Sequence, residues 1–125
     1  MAFYDWGNPP ITSTTGLVSN PSTATLCAEL DSTQLGTKDF NGSQSKKYMV
    51  RWIVGCSTTA LFQLEQANST DLAASTNVIF VYGGTALSAE FVSAVDLNRN
   101  DRLRIRVNSS FTGTVAATIQ AEVMT

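Results

Sequence analysis

Four of the eight basic residues of this 125-residue chain, Arg99, Arg102, Arg104 and Arg106, fall in the stretch NRNDRLRIRV at positions 98–107. Arg102, Arg104 and Arg106 alternate with Leu103, Ile105 and Val107, a period of two that puts the three guanidiniums on one face of a strand. Such a row can grip phosphate, meet a partner, or lie on the wet side of a sheet. Nucleic acid is disfavoured twice over. The net charge is −2, where a dedicated binder is usually basic, and no aromatic residues interleave with the arginines to stack bases. Two readings stand for Arg102, Arg104 and Arg106. They form a solvated face balanced by cross-strand Gln120 and Glu122, reached through a hairpin over NSSFTG, or they form a contact ridge for a second subunit or a larger shell.

The remaining reactive residues offer little catalysis. The chain has no histidine, which removes Ser-His-Asp and Cys-His nucleophile pairs and the commonest general base. Glu65 with Glu90 is a conceivable carboxylate pair for glycoside hydrolysis, but acidic residues scattered over strand faces are ordinary. The segment DLNRND places Asp96, Asn98 and Asn100 at the first, third and fifth positions of a calcium loop. The sixth position holds Asp101 instead of glycine and the twelfth Val107 instead of glutamate, so a turn rich in Asn and Asp is the reading. No phosphate-cradling G-x-x-x-x-G-K-[ST] motif occurs. The chain is read as a non-enzyme with no cofactor and no metal.

The elements that must carry these residues follow from patterning. From residue 23 onward the apolar period is close to two. TATLCAELD, KYMVRWIVGC, TALFQLEQA, RLRIRV and VAATIQAEV alternate, NVIFVY is a short apolar run expected to be covered on both sides, and ALSAEFVSAVDL alternates less well. Turn signals, NGS, GCST, NSTD, YGGT, NRND and SSFTG, separate them. A short helix is possible at STDLAAST. The expectation is an all-β antiparallel sandwich or jelly roll of seven to eight strands over residues 23–125. Within it Trp52 shares parity with Tyr48, Val50 and Val54 and is expected in the core. Cys27 and Cys56 have opposing parity and are read as free thiols.

Residues 1–22 differ. Phe3, Tyr4 and Trp6 precede GNPP, and every proline of the chain, Pro9, Pro10 and Pro21, lies here. This reads as an extended N-terminal arm with an aromatic tip. Three large aromatic side chains are costly to leave in water, so they are expected to dock, preferably on a neighbour. On that reading the arm matters for attachment more than for folding.

Charged residues make up only 14% of the chain and hydrophobic ones 43%, against about 25% charged in typical soluble domains. A polar but uncharged surface suits a protein packed against copies of itself or a larger assembly. No stretch approaches the ~20 apolar residues of a membrane span, and MAFYDWGNPP lacks the features of a signal peptide; cytosolic synthesis and no membrane partner are expected.

The segment FVSAVDLNRNDRLRIRVNSSFTGTVAATIQAEV, residues 91–123, resembles the end of tumour-necrosis-factor-like and phage jelly rolls, with Asn100 where their short turn usually has glycine. The whole chain, with its polar arm and low charge, is similar to small bacteriophage virion proteins: capsid decoration (cement) proteins or tail and fibre jelly rolls. The resemblance implies a structural protein without catalytic residues, self-associating as a homotrimer, bound to the major capsid or another virion protein, and located in the virion. Phe3, Tyr4, Trp6, Arg102, Arg104 and Arg106 are then the expected assembly contacts. The alternatives are a carbohydrate-binding sandwich module of tail, fibre or lectin type and, third, a non-viral signalling or complement-like trimer, against which the missing signal peptide counts.

Overall fold

In a computed structural model, the structure describes residues 11–13, 18–19, 25–69, 77–86, 88–107 and 114–124. Period-two patterning becomes strand in all seven expected places: β3 (Thr25–Leu30), β4 (Ser45–Cys56), β5 (Thr59–Ala67), β6 (Asn77–Thr85), β7 (Ser88–Asn98), β8 (Arg102–Val107) and β9 (Thr114–Val123). Two further two-residue strands, β1 (Ile11–Thr12) and β2 (Val18–Ser19), precede them. The pairings among these strands are antiparallel. One sheet runs β1-β9-β4-β7, with β2 also on β9; the other runs β3-β8-β5-β6. This is the expected antiparallel sandwich.

The facing sides of the two sheets make the core. Val50, Trp52 and Val54 of β4 and Ala117, Ile119 and Ala121 of β9 lie in one sheet. Leu30, Phe62, Leu64, Leu103, Ile105 and Val107 lie in the other. Trp52 is 1% exposed, as its parity requires.

Three local features depart from simple alternation. A bulge between Leu26 and Ala28 inserts one residue against β8 and reverses the parity before it. Cys27 is therefore buried with the core while Leu26 is exposed, which corrects the expected sides of these residues. Both cysteines are thiols. Burial pushes the Cys27 thiol up to about 11, with a backbone hydrogen bond at Val107 pulling the other way, so it stays protonated at neutral pH. The Gly83-Gly84 pair lies inside β6 and not in a turn. A Cβ on Gly83 would come 3.0 Å from Leu61 Cδ1 and 3.2 Å from the Ala60 carbonyl oxygen, so β5 and β6 approach closely there.

The short helix α1 (Ser32–Leu35) lies outside the sequence-based expectation. Its signal is Asp31-x-x-Gln34: the Asp31 carboxylate accepts from the Gln34 N–H, the Gln34 side chain accepts from the Asp31 N–H, and Gly36 closes the helix at φ 82°. This is a capping box with a left-handed glycine stop. The Tyr48 hydroxyl donates to the Leu35 carbonyl at 2.7 Å, tying the helix to β4. The helix expected at STDLAAST falls largely outside the described residues, as do Phe3, Tyr4 and Trp6.

The segment read as an arm is joined to the sandwich in part. Ile11 and Thr12 pair with Ala121 and Gln120, and Val18 and Ser19 with Val115 and Thr114. Ser13 is buried; its N–H donates to the Ile119 carbonyl at 2.8 Å and its hydroxyl accepts from the Ile119 N–H at 2.7 Å. These bonds cover one edge of β9. Deleting residues 2–22 is therefore expected to lower the melting temperature by several degrees, as for a loss of ~1–3 kcal/mol in a domain of this size. This reverses the outcome expected from the sequence; an unchanged thermal transition would show that β1 and β2 add nothing to stability.

Candidate functional site

The arginine row is not a solvated ridge beside β9. Strands β8 and β9 lie in different sheets, and β8 sits between β3 and β5. Arg104 stands opposite Glu29 on one side and Glu65 on the other, and Arg106 opposite Leu26 and Gln63. Arg104 and Glu65 are both 0% exposed. The Arg104 Nε donates to Glu65 Oε1 at 2.5 Å, Arg106 Nε lies 3.3 Å from the same oxygen, and Gln63 Nε2 donates to Glu65 Oε2 at 2.6 Å. Arg104 also donates to the Ser69 carbonyl at 3.1 Å. Arg102 pairs with Glu29 at 3.4 Å. Cross-strand acids do balance the row, but they are Glu65 and Glu29 instead of Gln120 and Glu122. With Arg104 and Arg106 buried on a carboxylate of their own chain, the cluster is an internal brace and offers a partner little.

Other sequence candidates are also dispersed. Glu65 belongs to this brace, whereas Glu90 is exposed on the other sheet and bonded to Arg51. The two carboxylates form no catalytic pair. In the DLNRND turn, Asn100 takes the left-handed conformation at φ 67°, the backbone that glycine would supply. Asp101 is buried, its Oδ2 accepting from the Asn98 N–H at 2.8 Å and from Gln66 Nε2 at 2.5 Å. That carboxylate closes a turn and does not face outward toward an ion. Among the described residues no three His, Cys, Asp or Glu side chains gather as metal ligands, and no helix is long and apolar enough to cross a membrane.

The feature that stands out is one the sequence reading places in the interior. Among the described residues NVIFVY is not covered on both sides: β6 is the edge strand of its sheet there. Val78, Phe80 and Val81 are 44%, 37% and 48% exposed, and Val92 on the neighbouring edge strand β7 is 57% exposed. Strand β6 contains no charged residue and no proline, the devices that normally guard an edge. The ring of Phe91 reaches across from β7 to Phe80 and Tyr82, 4.8 Å from each. Beside these rings a cleft of ≈ 230 Å³ opens between the two sheets. Its walls are Trp52, Leu64, Ile79, Phe80, Phe91 and Val92, with Ser93. The Ser93 hydroxyl accepts from the Trp52 indole N–H at 2.9 Å, so the polar group at this wall is satisfied. The cleft is chemically an apolar acceptor, and its walls hold no acid or base.

No family model matches the chain, and no curated protein matches it. Among solved structures, the globular domain of the zebrafish complement 1qA protein is similar, with a TM-score of 0.51 over 93% of this chain and 98% of that domain. The fold is a C1q-like jelly roll. This agrees with the tumour-necrosis-factor-like ending recognised at residues 91–123. At 11% identity the likeness concerns fold alone, and no residue role passes to this chain. A C1q-like fold is compatible with a non-enzymatic protein, in keeping with a sequence that lacks histidine and places its carboxylates apart.

Proposed function

We propose that the chain is a non-enzymatic structural protein that works as a self-associated assembly, and that this assembly is a homotrimer decorating a virion shell. The observation that carries self-association is the unguarded edge strand β6, where Val78, Phe80 and Val81 are exposed, with Val92 exposed on β7, the strand that ends the other sheet among the described residues. An apolar edge of this kind is a standing invitation to aggregate unless another chain covers it. Among the described residues four of the exposed large hydrophobics lie on β6 and β7, and two others, Leu26 of β3 and Met124 just after β9, lie on the opposite side. A homotrimer requires head-to-tail contact, in which the β6–β7 edge of one copy meets a different surface of the next, and head-to-tail contacts that close make rings. The shell assignment is supported by the low charge of the surface and by the resemblance to small phage virion proteins. The sugar-binding alternative is weaker, since Trp52 is in the core and Phe80, Tyr82 and Phe91 pack on one another.

Sedimentation equilibrium tests the reading. The native protein is expected at about three times its 13.4 kDa chain mass, and the double variant Val81→Asp/Val92→Asp at the chain mass with its melting temperature nearly unchanged, since surface substitutions seldom move stability by more than ~0.5 kcal/mol. A native protein that stays at the chain mass across the micromolar range overturns the proposal. The protein's presence in purified virions, and its loss from them in the double variant, tests the shell assignment separately.

A further inference from the structure

We infer that Phe3, Tyr4 and Trp6 of one copy seat in the β6–β7 cleft of a second copy. The inference rests on the self-association proposed above and names what holds the copies together. The cleft is lined by Trp52, Phe80, Phe91, Val92 and Ile79, side chains that suit aromatic occupants, because aromatic pairs gain from offset and edge-to-face contact beyond their buried area. The first ten residues carry three such occupants and a single charged side chain, Asp5.

The starting point of the segment favours a neighbour's cleft. Ile11 is paired with Ala121 at the edge of the five-stranded sheet opposite β7, with β9 and β4 in between. Three strand spacings separate the β1 edge from the cleft edge of the same copy, roughly 14 Å. β1 runs antiparallel to β9, so the step from Thr12 back to Ile11 points toward the C-terminal end of β9. Asn8-Pro9-Pro10 restricts the backbone there to extended conformations, which resists folding straight back across β9 and β4. Ten extended residues reach roughly 33 Å. In a head-to-tail ring the β1–β9 side of one copy faces the β6–β7 side of the next, so the segment begins beside the cleft it fills.

Disulfide trapping tests this. One variant carries Trp6→Cys and another Val92→Cys, both with Cys56→Ser, while the buried Cys27 is left in place. The two are mixed in equal amounts and mildly oxidised, and the disulfides are mapped by peptide mass. A bridge between chains that joins the two introduced thiols, position 6 of one to position 92 of the other, is expected. Deleting residues 2–10, which leaves β1 and β2 in place, is expected to weaken self-association roughly tenfold or more, since buried aromatic anchors dominate interfaces. A bridge found only within single chains of the Trp6→Cys/Val92→Cys double variant, or no such bridge in either experiment, overturns the inference. An assembly that keeps its mass after the deletion and yields no bridge overturns it while leaving self-association intact. A native protein that is monomeric overturns the parent proposal instead.

Discussion

Replacing Glu65 with alanine is expected to lower stability by about 3–5 kcal/mol, the cost of leaving a buried charge without its partner. The side chains of Glu65 and Arg104 have no solvent exposure, and Arg106 has 11%. Water cannot replace the lost carboxylate. Both guanidiniums would keep their desolvation cost while losing the oxygen they share, and the Gln63 amide would lose its bond to Glu65 Oε2. The thermal transition should fall by roughly 10–20 °C for a chain of this length. Removing Arg51, whose pair with Glu90 lies at the surface, is expected to cost no more than ~1 kcal/mol. A second variant separates charge from packing. Glu65→Leu with Arg104→Met removes both charges and keeps apolar volume, so it should recover much of the loss. A Glu65→Ala protein with an unchanged urea midpoint would mean that this face of the sheet is wet.

The arginine row shows where sequence reasoning reaches its limit here. Alternation of Arg102, Arg104 and Arg106 with Leu103, Ile105 and Val107 correctly separates the two faces of β8. It says nothing about which strands flank β8. Consecutive strands are neighbours only about two-thirds of the time, and in this jelly roll β8 and β9 are consecutive yet in opposite sheets. The acid that meets Arg104 is 39 residues away in the chain, and no local signal marks it.

NVIFVY misleads for a related reason. A continuous apolar run reads as a strand buried on both faces, but in this fold it lies at an edge, and its apolar excess belongs to a surface. The same residues that blur the pattern define the candidate site. Parity puts Cys27 on the wrong side because one bulged residue reverses it, and TATLCAELD carries no glycine or proline to announce the bulge. The helix at Ser32–Leu35, in contrast, has a legible signal: Asp31, Gln34 and Gly36 are a start and a stop within five residues of each other. Its length of four residues leaves no periodicity to read.

Trp52→Ala is expected to destabilise the protein by about 3–5 kcal/mol, the usual cost of truncating a large buried aromatic residue. Trp52 is 1% exposed and is among the largest fully buried side chains. It stands between Phe91 of β7 and Ile119 of β9 in the cross-strand register, and its indole also forms the inner wall of the β6–β7 cleft. Truncation would enlarge that cleft into the core and leave the Ser93 hydroxyl without its indole donor. Trp52→Phe keeps a ring at the site and should cost clearly less, so the pair of variants measures how much of the loss is volume. Because one side of the indole belongs to the core and another to the cleft, both stability and self-association should fall in Trp52→Ala. Val81→Asp/Val92→Asp should lower self-association alone. If Trp52→Ala instead leaves the urea midpoint unchanged while abolishing binding to a glycan, Trp52 is a ligand platform and the carbohydrate-binding reading becomes the better one.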